Sequence, residues 1–246
     1  MANTIYLITG ASSDIGFYLI RYLISQDKFV IGTCRKPTSE IQSIVASNFE
    51  LITNIDFEKK EDLIILQNTL ESKKNILYKV IHCIGNFWHH KSIPSTSHSE
   101  AKDMVLSHYL TTFNLLKLMV PIMKKNNGGR ILVFTCNSVI YTYPEMAAFT
   151  SAKAAVETLV KCSANENSQY NIVINALALS TIKTKKVINS KKEKYHDEYL
   201  TLEELKDSIL YTINGPIYIN GNIIKILKYS QYFYHESYYD RNEIIE

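Results

Sequence analysis

The sequence TGASSDIG at residues 9–16 follows a short apolar run at residues 5–8 and opens a helical pattern. A strand, a glycine turn and a helix in that order can hold a dinucleotide pyrophosphate, because turn N–H groups and the positive end of the helix dipole face the phosphate oxygens. Gly10 would supply the tight turn, and Gly16 the close approach of the helix to strand or ligand. Ser12, Ser13, Asp14 and Ile15 complete the candidate cradle, with Asp14 standing where a middle glycine is often found. An ordinary strand-to-helix turn could carry the same two glycines. The position near the N-terminus, the strand before and the helix after favour nucleotide binding.

Two further positions bear on such a ligand. Arg35 and Lys36 follow the next apolar run, where an acid would favour NAD and a base the 2′-phosphate of NADP. No acid occupies that corner before Glu40, so NADP(H) is expected over NAD(H), the alternative being a solvated basic pair. Asp56 ends the third apolar run; it either accepts a hydrogen bond from an adenine amino group or caps the following helix. Cys34, Cys83, Cys136 and Cys162 lack C-x-x-C spacing, which reads as reduced thiols and a cytoplasmic location. His89, His90 and His98 form no metal-ligand pattern, so no metal is expected. Trp88 beside them either lines a pocket or packs.

The elements that must position these residues alternate. Helical spacing at Ile15, Phe17, Leu19, Ile20, Leu23 and Ile24 is followed by strands at residues 29–33 and 49–55, a helix at 60–70 and a strand at 76–84. Ser97 with Glu100 has capping-box spacing at the entry to a long helix with Met104, Leu106, Phe113, Leu116 and Met119 on its apolar face. Gly128 and Gly129 end it before a strand at 130–135; a helix at 151–164 and a strand at 172–179 follow. Thr201 with Glu204 opens another helix to about Tyr211, and residues 216–226 read as the last strand. This alternation predicts an α/β fold, a doubly wound, Rossmann-like parallel sheet in one domain over residues 1–226, with a Tyr-rich extension at 227–246. Of the 246 residues, 46% are hydrophobic and 21% charged, enough for a sizeable core. A net charge of +3 with dispersed basic residues argues against a nucleic-acid partner, and no apolar stretch is long enough to indicate a signal sequence or a membrane span.

Together these motifs resemble the short-chain dehydrogenase/reductase family. TGASSDIG looks like its cofactor loop, HCIG at residues 82–85 like a degraded Asn-Asn-Ala-Gly segment, and INALALSTIKT at 174–184 like its Asn-x-x-x-Pro-Gly-x-x-x-Thr segment; GGRILVF at 128–134 and FTSAKAA at 149–155 add to the ordered set. The resemblance covers residues 4 to about 226. It implies cofactor contacts at Gly85, Lys153, Ile182 and Thr184, and dimers or tetramers. It also implies a relay of Asn, Ser, Tyr and Lys in which the phenol exchanges a proton with the substrate oxygen and the neighbouring Lys lowers the phenol pKa.

The sequence departs from that relay. Only Lys153 survives: Phe149 holds the Tyr place and cannot donate a proton, Cys136 holds the Ser place with a weaker donor, and His108 falls at the Asn place by alignment of HYLTTFNLLK. His108 either relays a proton near neutral pH or fills a buried interface. Ser138, two residues beyond Cys136, either rotates into service as the donor of the Ser place or, the first reading, is an ordinary exposed loop serine, and Tyr141 or Tyr143 would be a displaced phenol. Lys183, Lys185, Lys186, Lys191, Lys192 and Lys194 crowd the stretch where the family places a lid; this reads first as a solvated loop, and otherwise as attraction for an anionic or carrier-linked substrate. Tyr229, Tyr232, Tyr234, Tyr238 and Tyr239 would add to an oligomer contact or form a disordered terminus. The expected function is NADP(H) binding with impaired or altered oxidoreductase activity. The alternatives are an active carbonyl or alcohol oxidoreductase with a substitute donor, and a non-catalytic partner of an active homologue.

Overall fold

The computed structural model describes residues 3–88 and 90–228. The chain alternates β1 (Asn3–Thr9), α1 (Asp14–Ser25), β2 (Phe29–Thr33), α2 (Ser39–Gln42), β3 (Phe49–Ile52), α3 (Lys60–Glu71) and β4 (Ile76–His82). A long helix follows, made of α4 (His98–Met104), a π-helical segment at Val105–Leu110 and α5 (Thr111–Lys125). Then come β5 (Gly129–Cys136), α6 (Ser138–Tyr141), α7 (Ala147–Asn167), β6 (Ile172–Leu179), α8 (Lys185–Ser190), α9 (Leu202–Asn214) and β7 (Ile223–Ile226).

The strands form one parallel sheet in the order β3-β2-β1-β4-β5-β6-β7. Side chains alternate between its faces. Leu7, Val80, Ile131 and Ile174 pack with Leu115, Met119, Val156 and Val160 of α5 and α7. Ile8, Ile81, Leu132 and Leu177 pack with Leu19, Ile20 and Leu23 of α1 and with Leu205 and Ile209 of α9. Each fully buried aliphatic side chain contributes roughly 1.5–3 kcal/mol, so both faces are fixed and the strand ends must open where the chain reverses. That reversal lies between β1 and β4, the place where such sheets bind ligands.

Local chemistry sets the helix limits. Both expected capping boxes form: Glu100 N donates to Ser97 Oγ (3.2 Å) and Ser97 N to Glu100 Oε2 (2.9 Å), and Thr201 with Glu204 repeats the arrangement. Gly128, at φ +129°, donates its N–H to the Met123 carbonyl and ends α5.

Several boundaries differ from the sequence reading. β3 stops at Ile52 and β4 at His82, short of the expected 55 and 84, because the chain leaves the ladder there to wall a cavity while its apolar side chains stay covered. β7 is confined to Ile223–Ile226, since Asn220 and Gly221 (φ +71°) turn the chain before it. α7 begins at Ala147, not 151, which puts Phe149 in its first turn. His89 and the tyrosines from 229 onward lie outside the described residues.

Candidate functional site

Two adjoining cavities lie over the C-terminal ends of the strands. The first, about 860 Å³, is walled by Gly10, Ser12, Ser13, Arg35, Lys36, Asp56 and Gly85. The second, about 630 Å³, is walled by Asp14, Ile15, Gly85, His108, Cys136, Phe149, Lys153, Ile182 and Thr184. Both share Ser12, Ser13 and residues 83–86 and so make one channel. Of the site residues read from the sequence only Gly16 lines neither cavity; a Cβ there would lie 2.4 Å from the Gly10 carbonyl oxygen, so this glycine closes the turn on itself.

The turn is built from the inside. Gly10 has φ +71°, and a Cβ on it would lie 2.5 Å from the Cys83 carbonyl oxygen. Ser13 caps α1 by accepting the Gly16 N–H at 3.1 Å. Asp14, in the place of the missing glycine, accepts the Lys185 N–H of α8 at 2.6 Å, while Lys185 Nζ pairs with Glu40 at 2.7 Å. The start of α1 and the start of α8 are thereby tied directly. Arg35 and Lys36 are exposed on the first cavity, facing a wall that also carries Asp56 and Glu58. Asp56 is not the cap of α3: its Oδ1 accepts the Glu58 N–H, its own N–H donates to Asp62, and the helix starts after Lys59 with no side-chain cap.

In the second cavity Lys153 crosses beneath the Phe149 ring, its Nζ 5.6 Å from the centroid, and donates to the Phe134 carbonyl at 2.9 Å. It is 8% exposed, and burial lowers its pKa to about 8, so it remains mostly cationic at pH 7. His108 stands edge-on to Phe149, with centroids 5.1 Å apart. Burial and the nearby Lys153 charge push His108 down to about 2. It is therefore neutral. Its Nε2 lies 3.1 Å from the Asn86 carbonyl and must carry the proton to bond there, which leaves Nδ1 as a buried acceptor with no partner, pressed against Gly85. Proton relay by His108 near neutral pH is not what this geometry provides. His82, at the end of β4, is likewise neutral and bonds Thr9 at 2.7 Å.

Cys136 ends β5 and donates its thiol proton to Asn137 Oδ1 at 3.3 Å. Ser138 is fully buried rather than an exposed loop residue; it opens α6 and accepts a hydrogen bond from Thr150 of α7 at 3.0 Å. Tyr143 lines the cavity and packs in one apolar cluster with Phe149, Trp88 and Met146, while Tyr141 stacks on its outer side. Trp88 both packs and lines the cavity, with Nε1 bonded to the Glu145 carbonyl at 2.7 Å.

Two residues were not singled out in the sequence. Asn86 orients His108 through its carbonyl, and only its place after Gly85 hints at this. Asn137 is buried between Cys136 and Ser138. Lys191, read from the sequence as solvated, is 4% exposed just after α8, where Val187, Tyr195 and Tyr199 pack against Phe87. Among the described residues no cluster of His, Cys, Asp and Glu is suited to a metal, and no helix is long and apolar enough to cross a membrane.

The channel meets the demands of an extended dinucleotide: a backbone turn that excludes Cβ atoms, a capped helix N-terminus on its wall, and basic residues at one end. Residues 4–195 match the family described as short chain dehydrogenase. Dehydrogenase/reductase SDR family member 4 of Mus musculus is 27% identical over 193 residues, covering 75% of this chain and 68% of that protein. A short-chain type dehydrogenase/reductase from Mycobacterium ulcerans superposes with a TM-score of 0.81 at 17% identity, covering 92% of this chain and 89% of the other. ElxO with NADP bound gives 0.80 at 21% identity, covering 92% and 97%; a Tyr-to-Phe variant of ElxO with NADPH bound gives 0.80 at 22%, with the same coverage. With the sequence match running from β1 past α8, and the sheet and channel arranged as described, the chain belongs to the short chain dehydrogenase family.

Proposed function

We propose that this chain binds NADP(H) in the channel and carries an oxidoreductase site impaired in proton transfer. The observation that carries the reading is Phe149: it stands over Lys153 in the first turn of α7, lining the second cavity, and offers no exchangeable proton. When bound, the nicotinamide supplies or accepts hydride. The chain's own part is to seat the cofactor on the turn at Gly10 and to hold a cation, Lys153, beside the reacting end. Preference for NADP(H) is supported by Arg35 and Lys36 on the first cavity and by the engagement of Glu40, the first acid after β2, with Lys185. ElxO, a structural relative, holds NADP, and its Tyr-to-Phe variant holds NADPH, which supports cofactor binding without a phenol.

The test is Phe149→Tyr. Supplying the phenol beside a buried Lys should raise NADPH oxidation with simple carbonyl substrates by ~10²–10⁴. A wild-type rate near the common ~10 per second, unaltered by the substitution, would overturn the impaired-site reading.

Tyr143 favours a second reading, since it shares the cavity and the apolar cluster with Phe149. If that phenol is the substitute donor, Tyr143→Phe abolishes wild-type turnover while NADPH binding is retained.

A further inference from the structure

The end of the sheet away from the channel carries cations that cofactor binding does not use. Tyr6 of β1, Lys79 of β4 and Arg130 of β5 are register partners on three adjacent strands, so their side chains leave the same face. It is the face covered by α1 and α9, because Ile8, Ile81 and Leu132, two residues further along each strand, pack there. Lys79 Nζ lies 5.5 Å from the centroid of the Tyr6 ring and donates to Asn214 Oδ1 at 2.6 Å, and the Tyr6 hydroxyl donates to the same oxygen at 2.9 Å. Both lone pairs of that oxygen are thus engaged, while the ammonium keeps further N–H groups to donate.

Arg130 stands beside Lys79 on a strand about 4.8 Å away. Its Nη1 is buried with no hydrogen-bond partner. Burial, and then the Arg130 and Lys28 charges, hold Lys79 below the usual lysine range, and burial lowers Arg130 as well. Among the described residues no carboxylate is bonded to Lys79 or Arg130. Like charges side by side on neighbouring strands repel, and a desolvated guanidinium N–H without an acceptor is costly. One anion offsets both, since it neutralises the pair and supplies the missing acceptor.

We propose that Lys79 and Arg130, with Lys28 nearby, form a site for a phosphate-type dianion, either the free ion or the phosphate of a small monoester. The guanidinium fork matches the oxygen spacing of such an anion, and the ammonium adds a point charge. Tyr6 precedes Gly10 by four residues, roughly 13 Å of strand, so this site is separate from the cofactor channel and does not depend on how that channel is read.

The experiment follows backbone amide 1H–15N spectra of the full-length protein with NADP+ present. It titrates inorganic phosphate and, separately, glycerol 3-phosphate, each against chloride at matched ionic strength. Amides of residues 6, 79, 130 and 214 report the proposed site, and amides of residues 10–16 report phosphate on the cofactor turn. The first group should shift along saturating curves. Arg130→Met and Lys79→Met should each weaken that binding by about tenfold or more, the size expected of a charge-assisted hydrogen bond. Without added phosphate, Arg130→Met should melt no lower than wild type, because an unpaired buried cation gives way to an apolar side chain. A response to glycerol 3-phosphate alone would identify a monoester as the ligand, and a response to both a site open to the free ion. Shifts confined to residues 10–16, shifts no larger than those in chloride, or binding that survives both Met variants would overturn the inference. A lower melting temperature for Arg130→Met would overturn it too, since the guanidinium would then be satisfied within the protein.

Discussion

Acidification from pH 6.5 to 5.0 should cost the fold about 3 kcal/mol through His82 and His108 alone. Burial holds His82 at about 3 and His108 at about 2, against ~6.5 in an unfolded chain. Because both folded values are depressed, the unfolded chain binds more protons throughout this window. Stability is therefore fully present above the unfolded value and declines as pH falls. Integrated over the window, each ring contributes about 1.6 kcal/mol, a large share of a typical ~5–15 kcal/mol. Glu58 and Glu157 act oppositely, since burial raises both, so the difference between wild type and a His108→Asn variant is the quantity to read. Urea unfolding followed by far-UV circular dichroism at both pH values gives it. The variant should lose about 1.6 kcal/mol less than wild type between pH 6.5 and 5.0. Equal losses would mean that His108 titrates in the folded protein near its unfolded value, and an imidazolium would then form in the site as pH falls through that value.

Three other outcomes follow from contacts in the channel. Gly85→Ala would place a Cβ 2.4 Å from His108 Cε1 at a backbone φ of +153°, and should lower stability by roughly 2–4 kcal/mol in thermal unfolding, with partial recovery in a His108→Asn background. An unaltered melting temperature would contradict that packing. Asp14→Ala removes the acceptor of the Lys185 N–H and should speed hydrogen exchange at residues 185–190 by about tenfold; unchanged exchange would show that α8 is held elsewhere. Arg35→Ala should weaken NADPH binding by about tenfold and NADH binding far less, and equal losses would remove the phosphate-corner argument.

The sheet was legible because parallel strands buried on both faces leave continuous apolar runs, and the limits of β2 and β6 agree with the sequence reading at both ends. Strand ends at the site were less legible. Ile55 and Ile84 continue the apolar pattern after the ladder has stopped, since they wall the cavity instead. Cys136 and Phe149 were singled out only through the family resemblance, by their spacing from Lys153, and the structure brings both with Lys153 and His108 into one cavity. The burial of Ser138 and Lys191 could not be read, because it is decided by residues distant in sequence: Thr150 for one, Phe87 for the other. The choice between the two readings of His108 was open for the same reason, since its protonation is set by the surrounding core and by Lys153.

The π-helical segment at Val105–Leu110 has a consequence for tolerance of length change. A π turn accommodates an extra residue in an otherwise α-helical ladder, and each residue of an α-helix turns the chain by about 100°. Deleting one residue within this segment would let α4 and α5 join as a regular helix. It would also rotate one flank against the other and swing the His108 ring off Gly85 and the Asn86 carbonyl. A single-residue gap here would thus disturb the wall between the two cavities more than many substitutions would, whereas the same gap in an exposed connection would be absorbed locally.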